Sequence, residues 1–268
     1  MDIVRFKKIL EYSERNKSVI LEKIQDFYGK IGMDESKELR NVLQLARPLF
    51  QKQGYVIVEI PFKDEEIGAV CYNGDGIGYA LVNSSCPEVN VNFALCHEIY
   101  HLLYQEEGFK NLVELYMNEH YYEHEEELAA NLFAGMLLMP EESFSFMFQK
   151  FIREEKEPLS VLALLMSYFK VPYMAALIRT YELKLLESGE VLSKLMYVSR
   201  EEIQNEFAKL WLDESILMAT KKDDYSRLEG FVRYIGMLHQ EEGYLSRTAL
   251  EKAIANMRKF YGKIKGEC

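Results

Sequence analysis

The segment His97-Glu98-Ile99-Tyr100-His101 constrains this chain more than any other. On a helix, residues four apart lie about 40° from each other around the axis and one turn apart in height, so both imidazoles face the same way. Glu98 is turned by about 100° from His97 and stands beside the pair rather than in line with it. Two nitrogen ligands with a neighbouring carboxylate free to act as a base are the makings of a zinc hydrolase site. The flanks Phe93, Leu95, Leu102 and Leu103 are apolar, as a helix packed on a core requires. Two ligands on one helix do not close a metal site, so another element must bring a third donor across.

The richest source of that donor is His124-Glu125-Glu126-Glu127-Leu128-Ala129-Ala130-Asn131. Leu128, Leu132, Phe133, Met136 and Leu137 mark the core side of a helix running from about 123 to 139 and stopping before Pro140. Glu127 shares a face with His124 and Asn131. On these grounds it is either the third ligand or, like Glu125 and Glu126, part of a solvated acidic first turn favoured by the helix dipole. His120 and His124 form a rival i,i+4 pair, but Tyr121 stands where the motif needs glutamate. Tyr104, one turn beyond His101, reads as an oxyanion helper or a core aromatic. Cys96 reads as a small buried hydrophobe.

Around these segments the pattern is mostly helical. Residues 1–53 carry helical periodicity in Ile20, Ile24, Phe27 and Ile31, and again from Leu39 to Phe50, with Pro48 expected to kink or end the second run. Three short runs, 55–60, 67–72 and 77–82, are β-branched and aromatic, with Asn73-Gly74-Asp75-Gly76 as a hairpin signal, so a small antiparallel sheet is expected. The last run precedes the motif helix and is a candidate to pair with an extended substrate. Further helices are expected near 158–169, 172–188 and 200–268, with a division near Ser188–Gly189.

The chain has 268 residues and a net charge of -11, which argues against bulk attraction to nucleic acid or anionic membranes. No run approaches the roughly 18 apolar residues of a membrane span, and the N-terminus lacks a signal-peptide core. The cysteines Cys71, Cys86, Cys96 and Cys268 show no CxxC spacing, so a reducing, cytoplasmic setting is expected.

Two blocks go further. Phe93-Ala94-Leu95-Cys96-His97-Glu98-Ile99-Tyr100-His101 and Glu127-Leu128-Ala129-Ala130-Asn131-Leu132-Phe133-Ala134-Gly135-Met136-Leu137-Leu138-Met139-Pro140 resemble the ImmA/IrrE family of metallopeptidases, with a weaker third block at Leu162–Pro172. The resemblance spans about 30–185. It implies an α+β fold: a mostly helical zincin-like domain over 1–188 with a small antiparallel sheet, then a helical region, 189–268, of unassigned role. It implies His97, His101 and Glu127 as ligands of Zn²⁺ (or Mn²⁺) and Glu98 as the catalytic base of a metalloendopeptidase. The implied substrate is a protein, a transcriptional repressor in stress response or mobile-element control. Tyr100, Cys96 and Asn92 stand where the family often has Gly, Ala and Arg, which bears on cleft shape rather than on ligands.

Two other readings compete: a metal-binding regulator without turnover, and a helix-turn-helix at 158–180 turning at Lys170-Val171-Pro172. The second offers only Lys170 and Arg179 to phosphates, so direct nucleic-acid binding is not expected. The helices of 190–268 are expected near the cleft as a substrate-selecting element.

Overall fold

A computed structural model of the chain describes residues 2–33, 42–64, 67–74, 77–104, 125–155 and 157–266. The rival pair His120 and His124 lies outside the described residues. Helix α1 (Ile3–Ile31) is capped by the Asp2 side chain and ends at Gly32, whose positive φ of 65° a left-handed cap requires. It buries Phe6, Ile20, Ile24, Phe27 and Tyr28 along one face. Helix α2 (Val42–Lys52) runs through Pro48 rather than ending there. Proline removes one internal hydrogen bond, and buried Ala46, Leu49 and Phe50 hold the helix on the core despite that loss.

Strands β1 (Tyr55–Ile60), β2 (Ala69–Gly74) and β3 (Ile77–Asn83) form one sheet in the order β1-β3-β2. The expected β2–β3 hairpin is antiparallel, with Cys71 opposite Ala80. β1, however, runs parallel to β3, so the sheet is mixed rather than wholly antiparallel. The cause lies in the connection after Pro61, which crosses the end of β3 instead of turning back beside β1. Asn83, fully buried at that end, holds the crossing. Its amide nitrogen donates to the carbonyls of Asp64 (2.8 Å) and Ile67 (2.7 Å), and its oxygen accepts from the backbone N–H of Phe62 at 2.9 Å. Alternation of apolar residues says which face a side chain takes, not which way a strand runs.

The pleat sends Ile57, Cys71, Ala80 and Val82 into the main core and Val58, Ile60, Val70 and Leu81 to the opposite face. Helix α3 (Glu88–Tyr104) packs on the first face, and α4 (Glu125–Leu138) packs directly across α3. α4 is buried on nearly every side, and Phe133 at its centre meets Phe27, Tyr100 and Tyr104 edge-on or tilted, with ring centroids 5.6–6.0 Å away. Helices α5 (Glu141–Glu154), α6 (Pro158–Phe169) and α7 (Tyr173–Glu182) complete this layer.

α6 and α7 meet at 107°, the bend that suggested a helix-turn-helix, but α7 faces inward. Arg179 is 2% exposed and donates to the Met139 carbonyl and to Glu182, and Lys170 pairs with Glu88 at 3.7 Å. Of the two cations of that element, Arg179 is therefore turned into the core, and Lys170 stays exposed beside Glu88. Among the described residues no single helix is long and apolar enough to cross a membrane.

The remaining helices are α8 (Gly189–Leu195), α9 (Arg200–Lys209), α10 (Tyr225–Glu241) and α11 (Arg247–Lys265). Leu192, Leu195, Met196, Phe207 and Ile216 join the same core as the metal-motif helix. The α10–α11 hairpin covers the second face of the sheet, where Leu228, Tyr261 and Ile264 meet Val58, Ile60 and Phe62. Buried Glu59 on β1 ties this region down by accepting from Arg47 and Lys222, both at 2.6 Å. Within the hairpin, Arg258 holds the Glu229 carboxyl down at about 2, aided by Arg233 and Tyr225 against the upward push of burial. The folded value lies below the ordinary 4.5, so this link is fully present above that pH and is lost as pH falls toward 2. Thermal unfolding should therefore show wild type more stable than Glu229→Gln near neutrality, with the gap closing between about pH 4.5 and 2.

Candidate metal centre

α3 and α4 carry the site between them. Glu88 opens α3, and Glu125, Glu126 and Glu127 open α4, acidic first turns that the positive end of a helix favours. His97 and His101 point from α3 toward the first turn of α4, where Glu127 is 4% exposed. The Nε2 atoms of His97 and His101 are 3.0 Å apart. Glu127 places Oε2 3.1 Å from His97 Nε2 and Oε1 3.1 Å from His101 Nε2. One turn along α4, Asn131 Oδ1 lies 3.0 Å from His97 Nδ1, placed to accept from an Nδ1–H, the arrangement that would free Nε2 to hold a metal ion.

This donor set fits a cation better than it fits protons. Two imidazole nitrogens and a carboxylate meet at one point, and a proton placed on either nitrogen serves only part of the triangle. A single ion at the centre would satisfy all of them, and these residues could hold a metal ion. The local field favours the same outcome. Burial works to raise the Glu127 carboxyl, but hydrogen bonds from His101 and His97 hold it well below the usual carboxylate range. Burial works to lower His97, yet the Glu127 carboxylate beside it leaves the imidazole above its ordinary value.

Glu98 is not part of the triangle, as the helical repeat requires. Burial pushes its carboxyl up from the ordinary value, with His97 and His101 and a hydrogen bond from the Cys71 thiol pulling the other way. Cys71 itself is held as a thiol, pushed well up by burial and by the Glu98 carboxylate. Strand β2 can approach α3 this closely because Gly68 has no side chain. A Cβ at that position would lie 2.6 Å from Ala94 Cβ on α3.

Several expectations change here. Tyr104 does not face the cluster: its hydroxyl donates to the Lys23 carbonyl at 2.7 Å and to Asp26 at 2.9 Å, so it is a core aromatic bonded to α1. Tyr100 is likewise turned toward α1, where its hydroxyl accepts from Lys23 Nζ at 2.8 Å, so its bulk does not narrow the metal face. Cys96 is fully buried, and burial raises its thiol pKa. β3 cannot add a substrate strand, because it lies between β1 and β2. The outer edge of β1 is met by Asp224, whose N–H donates to the Glu59 carbonyl at 2.8 Å.

Asn131 and Cys71 were assigned no role from sequence. Asn131 had a signal, its place one turn from Glu127; Cys71 had none, since its contact depends on how the strand seats on the helix.

Residues 50–181 match the peptidase family described as the IrrE N-terminal-like domain, and the chain belongs to that metallopeptidase family through this region. Comparison with curated proteins and with solved structures returns no match.

The close approach of β2 yields a test. Gly68→Ala should destabilise the protein by about 1–3 kcal/mol in denaturant unfolding, the range for an overpacked contact. Adding Ala94→Gly should recover part of that loss despite the poor helix propensity of glycine.

Proposed function

We propose that the chain is a metalloendopeptidase in which His97, His101 and Glu127 hold one divalent ion and Glu98 is the catalytic base. The observation that supports this most is the meeting of three lone-pair donors from α3 and α4 at 3.0–3.1 Å, with a buried carboxylate beside them. The His₂Glu set favours zinc, with manganese as the alternative. When bound, such an ion supplies Lewis-acid polarisation of a peptide carbonyl and acidifies water. Glu98, with its pKa raised by burial, is suited to take a proton from the attacking water and to pass it to the leaving amine. Asn131 fixes the His97 tautomer by accepting from Nδ1. An extended substrate would lie along the outer edge of β2, the strand that reaches Glu98 through Cys71.

The substrate we propose is a regulatory protein, a transcriptional repressor, cut in a cytosolic stress-response or mobile-element setting. The resemblance supports this class, and the net charge of -11 suits a basic substrate segment. Cys71, Cys86 and Cys96 are all free and buried, which suits a reducing compartment. We take 1–188 as the catalytic unit and 189–268 as a helical region that contributes to substrate selection. Phe207 is fully buried in the shared core, so a deletion of 189–268 would uncover apolar surface, and surface substitutions on α10 are the better probe of selection.

His101→Ala or Glu127→Ala should abolish the one-to-one metal content measured by mass spectrometry. Asn131→Ala should weaken metal affinity by about 10–100-fold with the fold intact. Glu98→Gln should keep the metal and lower hydrolysis by about 10²–10⁴-fold, the scale of a general base. The same variant should retain its substrate in a pull-down from the native cytosol. Loss of metal from Glu98→Gln would contradict the assignment of Glu98 as base rather than ligand.

A further inference from the structure

On the face of the sheet opposite the His97–His101–Glu127 cluster lies a half-open cavity of about 1030 Å³ between the strands and the α10–α11 hairpin. That volume is at the top of the roughly 300–1,000 Å³ range of small-molecule sites. It is far larger than the packing defects of a protein interior. Its walls are apolar: Val70 and Leu81 from the sheet, Leu228 and Met257 from the hairpin. Filled with water, such walls would forgo the burial that drives folding, which favours an apolar guest.

Among the described residues, the charged groups of the lining are Lys63, Asp64 and Lys263. Both lysines belong to the same end of the cavity. The Lys63 N–H donates to the Ile264 carbonyl at 2.9 Å, which sets Lys63 beside the last turn of α11, where Lys263 sits. The Lys63 side chain also runs close against Gly266. Among the described residues of the lining, two cations stand against one carboxylate at this rim.

We propose that this cavity binds a single-chain aliphatic acid, a ligand of the fatty-acid class, with its tail between sheet and hairpin and its carboxylate at Lys63 and Lys263. A body of this kind needs no internal hydrogen-bond partners, which suits these walls, and one anionic end matches the one cationic rim. The ligand is not a substrate of the metal centre, because the sheet lies between them. Residues of β2 alternate between the two: Val70 lines the cavity, and Cys71, its neighbour, bonds to Glu98 on the other side.

Isothermal titration and native mass spectrometry of the full-length protein, with laurate below its micelle concentration, test the proposal. Saturable binding of one laurate per chain, recovered unchanged, is expected. Dodecyltrimethylammonium should bind at least tenfold more weakly. The double substitution Lys63→Glu, Lys263→Glu should reverse that order. Leu228→Trp, which narrows the cavity from the hairpin side, should weaken laurate binding while metal content is unchanged. Met257→Phe, a smaller increment, should weaken it and serves if the first variant unfolds. Non-saturable binding, equal affinity for acid and cation, an order of preference that the double lysine substitution leaves unchanged, or laurate binding that neither narrowing substitution weakens in a folded protein would overturn the proposal.

Discussion

Everything about the site depends on α3 and α4 packing closely enough for Glu127 to reach both histidines. The histidines come together from local helical geometry alone, but the carboxylate arrives from a helix that begins more than twenty residues later in the chain. That contact places charged and polar groups in a region where Glu127 and His101 are each 4% exposed. Isolated, they would be costly to bury; together, each satisfies the others. The aromatic cluster of Phe27, Tyr100, Tyr104 and Phe133 supplies apolar burial one layer away, and so holds the helices at the separation that the polar groups need.

The sheet does two jobs with one pleat. Its inner face seats on α3, with Gly68 permitting the approach and Cys71 reaching Glu98. Its outer face packs against the α10–α11 hairpin through Leu228, Tyr261 and Ile264. β1 reads as a nearly continuous buried run for this reason, with only Val56 exposed. The C-terminal region is thus part of the structural frame, joined through Phe207 to the main core and through Glu59 to the sheet.

Much of this was legible in the sequence, and the limits have physical reasons. The i,i+4 histidines, the apolar stripe beyond Glu127 and the period-two runs are local patterns, and the elements they predict are present with small changes in their ends. Helix α5 carries its own helical stripe in Phe144, Met147, Phe148 and Phe151, a pattern not singled out from sequence. The direction of β1 is not legible in the sequence, because strand alternation is the same in either sense and Asn83, which holds the crossing, acts through a loop. Tyr104 was ambiguous because the helix face it shares with His101 also borders α1, and only the partner Asp26 settles which it meets. Cys71 and Asn131 owe their roles to contacts across elements, which no spacing within one element records.

The central claim is that one ion is held by two imidazoles and one carboxylate from two crossed helices. X-ray absorption at the metal edge, on the full-length protein as isolated, tests it most directly. The account predicts a first shell of nitrogen and oxygen only, with two imidazole scattering signatures and no sulphur, at distances of about 2.0–2.2 Å if the ion is zinc. A shell containing sulphur, fewer than two imidazoles, or water alone would contradict it.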